Sequence, residues 1–179
     1  MQTVGIADHD LFGICAETKR KENTKKKRRG RTMTSKNPET PLIVDIKSSS
    51  TKPSESFTEQ SRGNATWHTL VSAPGTVTDS LSSGVATCPP NGSLALHRHK
   101  QAEIYYVLSG SGQVEINGVR HAVSKDHLVW IPGDAEHGVF CDGGETMTWL
   151  YVFPEGRFSD IVYRFKHEVL GEPEIRAKL

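Results

Sequence analysis

His97-Arg98-His99-Lys100-Gln101-Ala102-Glu103, entered through the apolar run Leu94-Ala95-Leu96, is the stretch on which the reading of this chain turns. Residues two apart on a strand share a face, so His97 and His99 project together while Arg98 projects away. Glu103 follows a short turn and leans back toward the same side. His137, far along the chain, supplies a third imidazole. Three imidazoles and one carboxylate on a barrel wall suit a single first-row transition metal. Four ligands around an ion that prefers six leave positions open for water, substrate or dioxygen, which is how a catalytic metal differs from a structural one. One His pair alone would equally fit surface histidines beside a turn; the full set favours a metal.

Outward from that stretch the chain alternates short β-rich runs with turn residues. The runs are Thr66–Ser72, Ser83–Cys88, Ser93–His99, Ile104–Leu108, Gln113–Ile116, Val119–Val123, His127–Ile131, Gly138–Cys141, Thr146–Phe153 and Ile161–Phe165. Asn117-Gly118 between two alternating runs is a type I′ hairpin signal. Ser109-Gly110-Ser111-Gly112, Lys125-Asp126 and Asp142-Gly143-Gly144 mark further turns. Many short strands without a helical period imply an all-β fold, a sandwich or small jelly-roll barrel.

The N-terminal third differs. Lys19 to Arg31 holds nine Lys or Arg and one Glu. Without them 13 basic and 20 acidic residues remain, a net of −7, so the folded part repels a nucleic-acid backbone and only the tail suits a polyanion. That run reads either as a nuclear-localisation or polyanion-binding segment or as a solvated tail, and translation from Met33 would omit it. Thr32 to Gly63 is rich in Ser, Thr, Pro, Lys and Glu and is expected to be disordered. Leu42-Ile43-Val44 is its one apolar island, a candidate edge strand or swapped piece. Residues 1–63 are therefore expected as a basic, Ser/Thr-rich tail, 64–165 as the barrel and 166–179 as a short C-terminal tail.

Three cysteines without a CxxC pattern, no apolar leader and no stretch of membrane-spanning length point to a cytoplasmic chain, with the nucleus open through the basic run. The sequons at Asn64 and Asn91 are then read as chance matches.

The core resembles a cupin. The family's first motif is matched by Gly92 through Glu103, with Gly110 at the expected place, and its second by Ile131-Pro132-Gly133-Asp134-Ala135-Glu136-His137. The resemblance spans about 100 residues, roughly Asn64 to Phe165, and implies a single jelly-roll β-barrel with His97, His99, Glu103 and His137 as metal ligands. Two departures stand out. One residue fewer separates the leading glycine from the first histidine, and Cys141 replaces a frequent asparagine. Strand parity turns His137, Val139 and Cys141 inward, leaving Cys141 as a core residue, a partner of the ligands or an oxidisable group. Ligand identity alone does not choose among Fe(II), Mn(II), Ni(II), Co(II) and Zn(II), of which Fe(II) is expected.

Beside the ligands, parity puts Tyr105 on the face of Glu103 and Tyr106 on the other. The Tyr105 phenol reads as a proton donor or base, or as an aromatic filling the barrel. Trp149, Tyr151 and Phe153 share one face and Thr148, Leu150 and Val152 the other; parity does not settle which lines the cavity. With Trp130 they suggest a largely apolar pocket. Two subfamilies compete. Glu103-Ile104-Tyr105-Tyr106, the run Trp130 to Gly138 and Phe158–Phe165 are similar to cupin dimethylsulfoniopropionate lyases, in which a tyrosine two after the glutamate is the base for β-elimination. The compact layout also resembles fungal secondary-metabolite cupin oxidoreductases. The basic, Ser/Thr-rich leader fits a eukaryotic chain, so an Fe(II)-type oxidoreductase acting on an aromatic or polyketide-like metabolite is the first expectation, with catalytic Tyr105 and Glu103. The lyase is second and a non-catalytic small-molecule-binding cupin third. A homodimer is expected, with no membrane partner.

Overall fold

The computed structural model of the chain describes residues 41–166 and 175–176. The basic run, with the readings attached to it, and most of the C-terminal segment lie outside those residues. The described strands are β1 (Glu55–Ser56), β2 (Thr66–Val71), β3 (Ser82–Cys88), β4 (Ser93–Arg98), β5 (Glu103–Ser109), β6 (Ser111–Ile116), β7 (Val119–Ser124), β8 (Leu128–Ile131), β9 (His137–Phe140), β10 (Met147–Phe153), β11 (Val162–Phe165) and β12 (Ile175–Arg176). They form two antiparallel six-stranded sheets, β1-β2-β3-β10-β5-β8 and β12-β11-β4-β9-β6-β7. Sequential strands thus alternate between sheets through much of the chain, and the ends of β4, β5 and β9 are brought to one place.

Period-two alternation decides the faces. On β10, Met147, Trp149, Tyr151 and Phe153 are buried, with Thr148, Leu150 and Val152 between them on the outer side. On β5, Glu103, Tyr105 and Val107 face in, while Ile104 and Tyr106 face out, the Tyr106 hydroxyl donating to Asp126 at 2.9 Å. Trp149 and Val107 from one sheet join Val114 and Val139 from the other in a single core. The β6–β7 hairpin turns through Asn117 and Gly118 at φ 49° and 82°, both left-handed, as a type I′ turn requires.

Gly110, between β5 and β6, has φ 73°, and a Cβ built on it would stand 2.0 Å from the Thr146 carbonyl oxygen. A side chain there meets both an unfavourable backbone conformation and the backbone just ahead of β10. Gly110→Ala is therefore expected to destabilise the chain by roughly 2–3 kcal/mol, read as a lower urea midpoint with an unchanged slope.

Three expectations change. Trp130 is 62% exposed on edge strand β8, next to Leu128 at 63%, so it does not line the interior. β8 begins at Leu128 and pairs so that Ile131 faces in beside Glu103, which turns Leu128 and Trp130 outward. Leu42-Ile43-Val44 forms no strand, and Ile43 is 92% exposed. Residues upstream of Asn64 also carry structure: the one-turn helix α1 (Ile46–Ser49) capped by Asp45, strand β1, and a 3-10 turn at Gln60–Arg62. Glu55 explains why so short a strand holds. Its carboxylate accepts from the Trp67 indole N–H and the Thr69 amide, both at 2.8 Å, and from the Thr69 hydroxyl at 3.0 Å. Buried Arg62, paired with Glu59 at 2.6 Å, lies over Phe57 and Phe165 and pins the following turn.

Candidate metal centre

His97 and His137 are direct cross-strand partners on β4 and β9, so their side chains share the inner face. His99 lies one residue beyond the end of β4, and Glu103 is the first residue of β5. All four are buried, at 0–3% exposure. The sequence reading named these positions, and the chain brings them together.

The hydrogen bonds fix which ring nitrogen points where. Nδ1 of His97 meets the Ala95 carbonyl at 2.8 Å, Nδ1 of His99 the Gln101 carbonyl at 2.9 Å, and Nδ1 of His137 the Ala135 carbonyl at 2.9 Å. A carbonyl only accepts, so each Nδ1 donates its proton there, and Nε2 is the atom each ring turns toward the cluster. The ligand atoms offered by the three imidazoles lie within 4.8 Å of one another. Oε2 of Glu103 is 3.2 Å from Nε2 of His99 and 3.3 Å from Nε2 of His137; the carboxylate reaches two of the three rings. Nε2 of His97 is buried with no hydrogen-bond partner.

Such an arrangement is costly without a cation. Burial holds His97 well below the usual imidazole range, reinforced by charge on neighbouring His137 and His99. Burial also pushes the Glu103 carboxyl upward, but contacts from His137 and His99 outweigh it and the net displacement is downward. A buried carboxylate oxygen therefore stands against two imidazole nitrogens, and the orphaned Nε2 of His97 completes the cluster. A divalent ion satisfies all of these at once: two donors each about 2.1 Å from one ion stand roughly 3.0–3.4 Å apart, close to the 3.2 and 3.3 Å separations present. The donor set fits a divalent transition metal and does not select which one.

Tyr105 is 2% exposed, on the inner face of β5 two residues from Glu103. Burial, then the Glu103 charge, raises its pKa well above the ordinary phenol value. Tyr163, on β11, packs its ring 4.9 Å from His97 and 5.4 Å from His99 and is raised by the same two causes. The sequence reading passed over Tyr163. The signal was present, because Tyr163 and Phe165 alternate with Val162 and Arg164 in a run already read as a strand.

Glu103 and Tyr105 open onto a cavity walled by Phe57, Trp67, Trp149, Tyr151, Phe158 and Tyr163. The inward set of β10 thus lines it, which parity left open. Its volume is about 20 Å³, room for a single water. Phe57 is the residue of this wall that also meets solvent; the others named are buried. Cys141 lies elsewhere in the core. It is fully buried, as is the other free cysteine of the described residues, Cys88.

Comparison with known proteins places these features. Residues 84–153 match the cupin domain family. Dimethylsulfoniopropionate lyase DddW from Ruegeria pomeroyi is 34% identical over 128 residues, covering 72% of this chain and 82% of its own. Among solved structures, the polyketide cyclase RemF from Streptomyces resistomycificus superposes with a TM-score of 0.61 at 22% identity, covering 73% of this chain and 89% of that one. A predicted oxalate decarboxylase from Thermotoga maritima gives 0.55 at 22% identity, covering 64% and 99%. At these identities the structural likeness bears on fold alone. Among the described residues, no helix is long and apolar enough to cross a membrane.

Proposed function

The chain belongs to the cupin family, and from that premise we propose that it is a metal-dependent lyase acting by β-elimination on a small carboxylate of the dimethylsulfoniopropionate type. The sequence reading ranked an Fe(II)-type oxidoreductase first and elimination second. The relative at 34% identity over most of its length supports the second, and the observation that carries the reading is Tyr105, buried on the same face of β5 as ligand-site residue Glu103 and lining the same cavity.

Elimination needs a base beside the acidic carbon, a holder for the carboxylate and a dry site. A divalent ion held by His97, His99, His137 and Glu103 would bind the substrate carboxylate, acidify the adjacent C–H and lower the phenol pKa. Tyr105 then accepts the α-proton at its phenolate oxygen. The Cα–H electron pair becomes the C=C bond, the Cβ–S bond breaks and its electrons leave on sulfur, giving acrylate and dimethyl sulfide. The returning proton goes to water. Glu103, on the same inner face of β5, opposes ionisation of that phenol through its charge until the local cation compensates. The aromatic walls keep bulk water from the carbanionic centre.

The deciding experiment supplies dimethylsulfoniopropionate anaerobically to protein loaded with Fe(II), Mn(II), Ni(II), Co(II) or Zn(II), with headspace detection of dimethyl sulfide. Stoichiometric sulfide and acrylate without oxygen are expected. No sulfide with any metal, together with Fe(II)-dependent oxygen uptake on phenolic substrates, would return the oxidoreductase to first place.

A further inference from the structure

Edge strands of opposite character close the two sheets. β7, the outer strand of one, carries Arg120, whose guanidinium pairs with Glu115 and Asp142 at 3.1 Å each, and beside it exposed His121. β8, the outer strand of the other, reads Leu128-Val129-Trp130-Ile131, without a charge or a proline. Sheets blunt an open edge with such residues, because an apolar edge associates with other chains. The apolar surface continues from β8 onto β5. Ile104 stands opposite Trp130 and Tyr106 opposite Leu128, all four on the outer side. Ile104 and Tyr106 are 37% and 36% exposed, behind the more open Leu128 and Trp130. Half-buried Val152 and Leu150 on β10, the neighbours of Ile104 and Tyr106, extend the same face toward the middle of the sheet. Asp126 borders it and accepts from the Tyr106 hydroxyl.

Side chains of this size each offer roughly 150–250 Å², so the four exposures leave on the order of 300–500 Å² of continuous apolar surface. A stable interface takes about 800 Å² from each partner, as an apolar centre within a polar rim. The patch has the size of that centre. Its internal order points to the occupant. The two aromatic side chains lie on one diagonal of the four and the two aliphatic ones on the other. A two-fold axis in the plane of the face then seats every ring on an aliphatic side chain of the other copy. With the axis along the strands, Trp130 meets the partner's Ile104 and Tyr106 the partner's Leu128. With the axis across them, Trp130 meets the partner's Leu128 and Tyr106 the partner's Ile104. Either axis keeps the sheets aligned, an ordinary way for sheets to pack face to face, and large groups meet smaller ones. From this we infer that the outer face of β5 and β8 is an isologous interface between two copies of this chain, centred on Ile104, Tyr106, Leu128 and Trp130. Because β5 alternates, Glu103 and Tyr105 stand back to back with that interface. The inference is independent of which reaction the barrel performs.

Sedimentation equilibrium on the full metal-loaded chain reads the assembly. A mass twice the 19.8 kDa of one chain is expected. Trp130→Glu and Leu128→Glu should each weaken association at least about 30-fold, the loss that marks an interface hot spot. Both positions are exposed, so metal content and far-ultraviolet circular dichroism should not change. Val119→Glu, exposed on β7 of the other sheet, should leave the dimer as it is. Trp130 also reports directly, since the other two tryptophans, Trp67 and Trp149, are buried. Iodide should quench little of the dimer's emission, and dilution through the dissociation range should open one tryptophan to it. Four results would each overturn the inference: a chain still monomeric at about 100 μM; a dimer indifferent to either β8 substitution; a dimer dissociated equally by Val119→Glu; or a dimer whose Trp130 stays as open to iodide as in the monomer.

Discussion

Alanine at position 99 is expected to strip the metal from the protein and lower its activity at least about 100-fold, while the barrel still folds. His99 contributes one of the three convergent Nε2 atoms and stands 3.2 Å from the Glu103 carboxylate. Its ring is aimed by the Nδ1 bond to the Gln101 carbonyl, so no other side chain substitutes for it. Loss of a hydrogen bond merely orienting a metal ligand typically costs 10–100-fold in affinity; loss of the ligand itself should exceed that. The ring also packs 5.0 Å from Phe153 and 5.4 Å from Tyr163. Its removal leaves a cavity worth about 2–4 kcal/mol, below the usual stability of such a domain. Elemental analysis beside circular dichroism reads both effects, and exposed His121→Ala on β7 is the control. Unchanged metal content in the His99 variant would refute its assignment as a ligand.

The ease with which this site was read from the chain, and the difficulty of its surroundings, have one physical origin. His97, His99 and Glu103 are close in sequence, and strand parity with one turn places them. His137 comes from a second local pattern, the turn Pro132-Gly133-Asp134 feeding β9. Strand positions were legible for the same reason: alternation on β5 and β10 is a local signal, and Asn117-Gly118 fixes its hairpin by backbone conformation. The cavity wall is a different kind of object. Phe57, Trp67, Phe158 and Tyr163 belong to segments scattered over a hundred residues, and no period links them. Trp130 was misread because parity assigns a face only once register is known. Its cross-strand neighbour Ile104, not Glu103, sets its side. The segment from Ile46 to Arg62 was passed over because its anchors are polar. Glu55 on Trp67 and Thr69, and Arg62 on Glu59, hold it by specific long-range or charge-assisted bonds that composition cannot register.

Removing only the hydroxyl of Tyr105 is expected to reduce elimination by about 10²–10⁴-fold while leaving metal content intact. Phenylalanine keeps the ring among its neighbours, 5.5 Å from Trp149 and 6.4 Å from His137, so packing changes little. What is lost is the oxygen on which the Glu103 charge acts. Losing that hydroxyl alone should alter stability by no more than about 1.5 kcal/mol. The pH profile separates a base from a packing residue. Burial and the Glu103 charge keep the phenol protonated, and a bound cation only partly reverses this. The phenolate is then a minor form at neutral pH, and kcat/KM should climb with pH through the neutral range. That alkaline rise should vanish in Tyr105→Phe. Tyr163→Phe supplies the comparison, since its phenol is equally buried, is raised by the same carboxylate and lies against two of the imidazoles. If the base is Tyr105, the Tyr163 variant retains the rise. A Tyr105 variant within twofold of the parent rate, or a rise lost only in the Tyr163 variant, would move the proton transfer from β5 to β11.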